Sequence, residues 1–143
     1  MPTTITAPKR APAAETDFLP LQGTDYIEFY VGNAKQAAHF YKTAFGFQSL
    51  AYCGPETGTR EKASYAIRQN NLTLVLTTPI RPNNPIADHI YEHGDGVKAL
   101  ALTVEDATSA WEETTKRCGK SFMEPKTLSD DEGELVMSGI HTY

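Results

Sequence analysis

The sequence predicts an α+β fold built from two modules, each with the element order strand, helix and then three strands. The first observation is an internal repeat, because residues 26–46 recur 73 positions later as residues 99–119. The second is that each copy passes from alternating apolar residues, typical of a half-buried strand, to an apolar stripe with helical spacing. The third is that further strand patterns, joined by a tight turn, follow the first copy. Together these observations indicate a duplicated βαβββ unit.

The first copy begins with a strand and a helix. Ile27, Phe29 and Val31 alternate with polar or aromatic residues, so one face of this strand is expected to be buried. Asn33 is a good N-cap for the helix that follows, and Gly46 supplies the left-handed residue that ends it. The apolar stripe of this helix consists of Ala34, Ala37, Ala38, Tyr41 and Phe45.

The second copy repeats these features in register. Leu100, Leu102 and Val104 form its strand face. Asp106 takes the place of the N-cap, and Gly119 takes the place of the helix stop. The corresponding helix stripe consists of Ala107, Ala110, Trp111, Thr114 and Cys118. The aromatic residues of the two helices are interpreted as core rather than as a stacking surface for a ligand. They are Phe40, Tyr41, Phe45 and Trp111.

The first module, which we place at residues 21–80, contains three further strand patterns. These strands are predicted at residues 48–53, 62–69 and 72–78. A turn-rich loop at residues 54–61 separates the first two, and a tight hairpin across Asn70 and Asn71 joins the last two. Prolines end the module, and a linker at residues 81–96 contains a predicted short helix at residues 86–92.

The second module, which we place at residues 97–143, is predicted to lack its last strand. Its predicted elements are a strand at 97–104, a helix at 106–118, a strand at 122–125, a polar loop at 129–134 and a strand at 135–143. The repeat places the counterpart of the strand at 72–77 at positions 145–150, beyond the last residue. A missing strand leaves the backbone groups of its neighbour unpaired. We therefore expect this chain to be a segment of a longer polypeptide, or a partner to supply the strand.

Composition excludes several classes of protein. The 143 residues carry a net charge of −5 and contain no basic stretch interleaved with aromatic residues, so we expect no nucleic-acid partner. No apolar run approaches the length of about 20 residues that spans a bilayer. Cys53 and Cys118 form no CxxC motif and are interpreted as reduced core or near-core residues, with a disulfide left open. Residues 1–20 are interpreted as a flexible arm without a targeting signal, and we expect a cytoplasmic protein.

Several long segments resemble a known family. They are DYIEFYVGNAKQAAHFYKTAFGF, GPETGTREKASYAI followed by LVLTTP, HIYEHGDGVKALAL and MSGIHTY. Paired βαβββ modules are the architecture of the vicinal oxygen chelate superfamily, to which the glyoxalases belong. Within it, these segments resemble the amino-terminal domain of the 4-hydroxyphenylpyruvate dioxygenases, and the resemblance covers nearly everything after Asp17. The related hydroxymandelate synthases cannot be separated by this half alone.

The resemblance implies a non-haem Fe(II) enzyme that uses dioxygen to convert 4-hydroxyphenylpyruvate to homogentisate in tyrosine breakdown. In that family two His and one Glu hold the iron, and all three belong to the carboxy-terminal domain, which this sequence does not contain. The resemblance therefore implies a non-catalytic segment that has no cofactor of its own. Its implied partners are the catalytic domain of the same polypeptide and further copies in a homo-oligomer.

The residues of this chain give little support for a metal site. The superfamily takes ligands from the first residue of a module's first strand, and these positions here are Tyr26 and Ala99. Strand alternation makes Glu28 the only carboxylate that the two first strands direct into the cleft, and we expect it to pair with a neighbouring polar group. We therefore predict no catalytic, cofactor-binding or metal-ligating residue in this chain.

The four histidines are interpreted as structural or solvent-exposed. His89 and His93 stand four positions apart on a predicted helix and could share a metal ion, but no third ligand follows at a suitable spacing. His39 lies off the apolar stripe and is expected to be exposed, and His141 is not used as a ligand by the family. No basic group can be placed beside Cys53 to make it a nucleophile.

Two alternatives to the dioxygenase segment remain open. One is a stand-alone binding module, similar to the bleomycin-resistance proteins of the superfamily, that holds a small ligand without chemistry. The other is a metal-dependent isomerase or lyase of the glyoxalase type, against which Tyr26 and Ala99 count heavily.

Overall fold

The structure is a computed structural model that describes residues 17–130 and 133–142. Residues 1–16 of the predicted arm at residues 1–20 therefore lie outside the described residues. The strands are β1 (Leu21–Tyr30), β2 (Gln48–Cys53), β3 (Lys62–Gln69), β4 (Leu72–Pro79), β5 (Gly96–Val104), β6 (Lys120–Asp130) and β7 (Gly133–His141). The helices are α1 (Ala34–Phe45), α2 (Pro85–His93) and α3 (Ala107–Lys116), with a short 3-10 turn at Pro55–Thr57.

The described residues divide into two units, one at residues 21–103 and one that combines residues 17–20 with residues 104–130 and 133–142. The first unit contains a five-stranded sheet with the order β2-β3-β4-β1-β5. Strand β1 pairs with β4 in parallel, whereas β2 pairs with β3 and β3 with β4 in antiparallel fashion. The first predicted module, β1-α1-β2-β3-β4, is confirmed in element order. Its two outer elements in sequence, β1 and β4, become neighbours in the sheet.

Helix α1 begins and ends at the predicted residues. The Asn33 side chain accepts a hydrogen bond from the Gln36 N–H at 2.9 Å and caps the first turn. Gly46 adopts a left-handed conformation with φ of 76°, and its N–H bonds the Tyr41 carbonyl. Only a residue without Cβ takes this conformation freely, which explains why glycine stands at the helix end.

The hydrophobic core of the first unit lies between α1 and the sheet. Its buried residues are Val31, Ala34, Ala38, Phe47, Ile67, Leu74 and Leu76. Tyr41 packs against this core, but Phe40 is 57% exposed and Phe45 is 54% exposed. The interpretation of these two phenylalanines as core is wrong. They pack edge to face against each other on the outer side of α1, with ring centroids 5.7 Å apart.

The β3–β4 hairpin is confirmed. Gln69 lies opposite Leu72, so Asn70 and Asn71 alone connect the strands. Asn70 has a φ of 52°, the left-handed conformation that asparagine tolerates in tight turns. This turn fixes the β3–β4 register and therefore decides which side chains share a face of the sheet.

Helix α3 starts as predicted but ends early. Asp106 accepts hydrogen bonds from the N–H groups of Thr108 and Ser109, as an N-cap does. The helix ends at Lys116, and the left-handed residue is Cys118, with φ of 70°, rather than Gly119. Gly119 has another role, since a Cβ there would lie 2.8 Å from the Thr114 carbonyl oxygen. The prediction that Gly119 is the left-handed residue that ends the helix is therefore wrong. Glycine is needed at this position because the chain passes close to the backbone of Thr114 after the turn.

Strand β6 is longer than predicted, β7 begins and ends two residues earlier than predicted, and the two strands form a two-stranded antiparallel sheet. Ser129 pairs with Glu134 and Asp130 with Gly133, so most of the predicted polar loop at 129–134 belongs to strands. Cross-strand pairing with β7 outweighs the low strand propensity of these polar residues. The described residues from Gly96 onward give only the order β5-α3-β6-β7, and no fourth strand of a second module lies among them.

Burial differs sharply between the two predicted modules. None of the described residues from 85 to 142 is buried, whereas the first module has a closed core. Trp111 is half-buried and donates its indole N–H to Ser121, and Cys118 is exposed. The interpretation of Cys118 as a core or near-core residue is therefore wrong. Both cysteines are free thiols, and no helix in the described part of the chain is long and apolar enough to cross a membrane.

Candidate functional site

The candidate site is the face of the five-stranded sheet opposite α1. Strand alternation in β1 places Tyr26, Glu28 and Tyr30 on this face, because the intervening residues Ile27 and Phe29 pack toward the core. Residues directly opposite each other on paired strands share a face. Glu28 is paired with Val75 of β4, and Val75 is paired with Ala66 of β3, so the register extends this face across three strands.

Glu28 is held by a chain of hydroxyl groups. The Thr77 hydroxyl donates to Glu28 Oε1 at 2.8 Å, and the Ser64 hydroxyl oxygen lies 2.9 Å from the Thr77 hydroxyl oxygen. Because Thr77 has only one hydroxyl hydrogen and gives it to Glu28, Ser64 must donate to Thr77. Thr77 is completely buried, so this arrangement fixes the carboxylate. The polar neighbour that the sequence predicted for Glu28 is therefore found.

Two tyrosines flank this carboxylate along β1. Burial, followed by the charge of Glu28, raises the pKa of Tyr30, and burial, Glu28 and Asp25 raise the pKa of Tyr26. Both hydroxyl groups therefore stay protonated at neutral pH and can act as hydrogen-bond donors. The resulting face has one fixed acceptor between two potential donors.

Helix α2 brings His89 to the Tyr30 end of the face. The His89 ring meets the Tyr30 ring edge to face with centroids 5.4 Å apart, and Lys98 lies over the Tyr30 ring at 5.7 Å. Burial lowers the pKa of His89, with further contributions from the charges of Lys98 and His93. His89 is therefore neutral at neutral pH, and its ring lies against Tyr30 at this end of the face.

A cation lies on the other side of the same face. The register of the β3–β4 hairpin places Arg68 opposite Thr73, and Arg68 Nε donates to the Thr73 hydroxyl at 3.0 Å. Ala66 and Val75 lie between the Arg68–Thr73 pair and the Ser64–Thr77 pair along these strands. The face thus contains a small apolar floor with a carboxylate at one side and a guanidinium at another.

The residues of the described part of the chain do not fit a metal site. No group of three or more His, Cys, Asp and Glu residues there is placed to hold a metal ion. His89 and His93 lie close, with ring centroids 4.7 Å apart, but the nearest carboxylate contact is that of Glu92 with His93 at 3.6 Å. His39 is exposed as predicted, and His141 contacts the Phe122 ring. An iron ion held by two His and one Glu is therefore not accommodated by these residues.

The other unit contains a shallow cavity of about 430 Å³ that the sequence did not indicate. Arg117 stacks over the Phe18 ring at 3.8 Å and also hydrogen-bonds Glu113. Lys116, which hydrogen-bonds the same carboxylate, and Arg117 together lower the pKa of Glu113 to about 2. Cys118 lines this cavity, whereas Cys53 lies elsewhere, with its sulfur 3.1 Å from the Thr59 hydroxyl oxygen.

Sequence reasoning found Glu28 but missed the other polar residues of this face. Ser64, Arg68 and Thr77 lie in strands that were predicted correctly, and their polar side chains alternate with core residues. The Asn70–Asn71 turn could have supplied the signal, since a two-residue connection pairs Ser64 with Thr77 and Arg68 with Thr73.

The chain is similar to known proteins over most of its length. Residues 23–135 match the Glyoxalase/Bleomycin resistance protein/Dioxygenase superfamily. The chain is 42% identical over 121 residues to the 4-hydroxyphenylpyruvate dioxygenase of Dictyostelium discoideum, which covers 84% of this chain and 33% of that protein. It is 35% identical over 150 residues to the 4-hydroxyphenylpyruvate dioxygenase of Coccidioides posadasii, covering 96% of this chain and 38% of that protein. The chain thus spans about a third of the length of these curated relatives.

Among solved structures, a mutant of 4-hydroxymandelate synthase from Streptomyces coelicolor superposes with a TM-score of 0.79. The sequence identity is 27%, and the match covers 85% of this chain and 36% of that chain. The similarity in fold therefore extends over nearly all of the described residues.

Proposed function

This chain belongs to the Glyoxalase/Bleomycin resistance protein/Dioxygenase superfamily, and on that premise we propose that it is the amino-terminal, non-catalytic part of a 4-hydroxyphenylpyruvate dioxygenase. The observation that carries the proposal is the 42% identity to a protein of that name over 84% of this chain. Because the match covers only 33% of that relative, the complete activity requires polypeptide outside this sequence.

The proposed reaction of the complete protein is the conversion of 4-hydroxyphenylpyruvate and dioxygen to homogentisate and carbon dioxide, in tyrosine catabolism. Fe(II) would supply the oxygen chemistry, and its ligands would lie outside this chain. Two observations support this division of labour. Tyr26 and Ala99, the repeat-related positions at which the resemblance implies metal ligands, have no side chain that ordinarily binds iron, and the described residues offer no group of three suitable donors.

The role proposed for this segment is structural, and β5 supports it. Strand β5 is an edge strand of its sheet, whereas its repeat counterpart β1 is flanked by β4. Val97, Leu100 and Leu102 of β5 are exposed, whereas Ile27 and Phe29 of β1 pack against the core. An exposed apolar edge strand is a site for strand addition. We therefore place the remaining polypeptide, including a strand parallel to β5, against this edge.

The partners in this proposal are the catalytic domain of the same polypeptide and further copies of the protein in a homo-oligomer. The exposed Phe40 and Phe45 on α1 support an assembly role, since aromatic residues on a surface are enriched where proteins associate.

The proposal is tested first by the intact mass of the native polypeptide. We expect a mass more than double the 15.7 kDa of this chain. A native product of 15.7 kDa would contradict the proposal and favour a stand-alone binding module. The product formed from 4-hydroxyphenylpyruvate by the full-length protein is then identified by chromatography. Homogentisate supports the proposed reaction, and 4-hydroxymandelate would assign the protein to the synthase activity instead.

A further inference from the structure

The shallow cavity of about 430 Å³ in the unit that contains α3 is lined by basic side chains. Arg117 and Lys120 both line it, as does the imidazole of His141. The described residues that line the cavity include no Asp or Glu, although the whole chain carries a net charge of −5. A basic cavity on an acidic protein raises the local concentration of anions.

Lys120 and His141 reach this cavity from neighbouring strands. Lys120 is the first residue of β6 and is paired with His141 of β7 in the antiparallel register. Residues directly opposite each other in such a pair share a face of the sheet, with Cβ atoms about 5 Å apart. Among the described residues, no carboxylate forms an ion pair with Lys120. Its ammonium group can therefore bind an anion without losing an ion pair.

Arg117 retains donors beyond those used in its own contacts. Its Nη1 atom donates to the carbonyl and the carboxylate of Glu113, and its guanidinium lies over the Phe18 ring at 3.8 Å. A guanidinium has five N–H donors, so those on Nε and Nη2 are left for an acceptor. Stacking on Phe18 orients the plane of these donors.

The end of helix α3 accounts for only part of this basic cluster. Arg117 follows the last turn, where the helix dipole favours cations, and it binds the Glu113 carboxylate. Lys120 and His141 lie in strands, so the helix end does not account for them. The dipole disfavours an anion with the strength of about half a charge, and the Thr114 carbonyl already accepts two backbone hydrogen bonds. The full charge of Lys120 exceeds this effect.

The cavity also has an apolar part, formed by Phe18 and Leu19. Phe18 is 46% exposed, so part of its ring stays open beside the stacked Arg117. The hydroxyl-bearing residue Thr142 lines the same cavity and can supply a further donor. Several donors beside an apolar surface suit an anionic group attached to a small apolar body.

We propose that this cavity binds a small phosphate monoester whose organic part is apolar. A phosphate monoester carries a charge of about −1.5 to −2 at pH 7 and three strong acceptor oxygens, which match the donors of Lys120, Arg117 and His141 better than the two oxygens of a carboxylate. The organic part lies against Phe18 and Leu19. This site goes beyond the proposed function and does not rest on it, because it requires neither iron nor oxygen chemistry.

Protection of Cys118 from alkylation measures binding at this cavity, since Cys118 is an exposed free thiol that lines it. The native polypeptide is treated with N-ethylmaleimide, and the modification of each cysteine is followed by mass spectrometry of its peptide. Cys53 is the internal control, because it is a free thiol that does not line the cavity. Phenyl phosphate is expected to slow the alkylation of Cys118 but not that of Cys53. We expect a dissociation constant of about 1 mM, as for a weak ligand in a shallow cavity.

Two matched ligands separate the contributions of charge and of the organic part. Phenyl sulfate has the same shape as phenyl phosphate but carries one negative charge, and inorganic phosphate lacks the ring. We expect each to bind about threefold to tenfold more weakly than phenyl phosphate, because each loses one set of contacts to an exposed site.

Two variants assign the contacts. Lys120→Gln is expected to weaken phenyl phosphate binding about threefold to tenfold. Lys126→Gln is the matched control, since Lys126 is an exposed lysine of the same strand that does not line the cavity, and it is expected to leave the dissociation constant unchanged. Phe18→Ala is expected to abolish the preference for phenyl phosphate over inorganic phosphate.

Equal protection by inorganic phosphate and phenyl phosphate would indicate an adventitious ion only and would overturn the proposal. Equal protection by phenyl sulfate and phenyl phosphate, or no protection of Cys118 at about ten times the expected dissociation constant, would also overturn it. If a variant fails to fold by circular dichroism, the ligand series on the unaltered protein still decides the question. The test does not involve oxygen consumption, so its failure leaves the dioxygenase proposal standing, and failure of the dioxygenase proposal leaves this site standing.

Discussion

Thr77, which is completely buried in β4, gives its only hydroxyl hydrogen to the Glu28 carboxylate of the parallel neighbour β1, over a distance of 2.8 Å. The two residues are 49 positions apart in sequence. Their contact depends on the parallel pairing that brings the first and last strands of the first module together. The hydrogen bond therefore links the two strands of this module and also fixes the carboxylate of the candidate site.

We predict that Thr77→Val destabilises the chain by about 1–3 kcal/mol. The substitution preserves the side-chain shape but leaves Glu28 without its donor and Ser64 without its acceptor. The measurement is the free energy of unfolding from urea denaturation. Thr103→Val, at an exposed position of β5, is the control and is expected to change stability by less than about 0.5 kcal/mol. Equal effects of the two substitutions would contradict this account of the Glu28 network.

We predict that Asn33→Ala costs about 1 kcal/mol of stability, because the first turn of α1 loses its side-chain acceptor. Gln36→Ala serves as the matched control. Its backbone N–H is the donor in this cap, so removing the side chain leaves the hydrogen bond intact. Thermal denaturation of both variants measures the difference, and a lower melting temperature for Gln36→Ala than for Asn33→Ala would refute the assignment of the cap.

We predict that Gly119→Ala destabilises the chain by about 1–3 kcal/mol, as expected when an added methyl group forces a backbone shift. The new Cβ would lie 2.8 Å from the Thr114 carbonyl oxygen. Gly96→Ala is the comparison, since no heavy atom lies within 4 Å of a Cβ at that position. Chemical denaturation of the two variants is the measurement. A stable Gly119→Ala variant would show that the end of α3 is free to rearrange.

We predict a pH dependence from Glu113. Hydrogen bonds from Lys116 and Arg117 lower its pKa from the ordinary 4.5 to about 2 in the folded chain. Between these values the unfolded chain binds the proton and the folded chain does not, so this group's contribution to stability is present above about 4.5 and is lost as the pH falls toward 2. NMR titration of the Glu113 side chain measures the value. Lys116→Ala is expected to raise it, and an unchanged pKa in that variant would exclude Lys116 as the main cause.

Local signals in the sequence predicted much of the fold. The helix ends are set by single residues, since Asn33 and Asp106 cap the first turns and Gly46 adopts the left-handed conformation. The Asn70–Asn71 turn is set by its two-residue length and by the tolerance of asparagine for a left-handed φ. Such features depend on a few neighbouring residues. For that reason the first module could be predicted element by element.

Features that depend on distant residues were missed. The polar segment around Ser129 becomes a strand because β7 pairs with it, and composition alone does not show that pairing. Phe40 and Phe45 follow helical spacing, but only the packed structure shows that the sheet covers the opposite side of α1. Likewise, strand alternation alone places Glu28 on the cleft face. Its hydrogen bond with Thr77 could not be predicted without the order of the strands in the sheet.

Oxygen consumption with 4-hydroxyphenylpyruvate and Fe(II) is the most direct test of the central claim, that this chain is a non-catalytic part of a dioxygenase. It is measured in an oxygen electrode for the full-length protein and for the 143-residue chain at equal molar concentration. We predict substrate-dependent uptake by the full-length protein and a rate equal to the protein-free blank for the chain. Uptake above the blank by the chain alone, or none by the full-length protein, would contradict the claim.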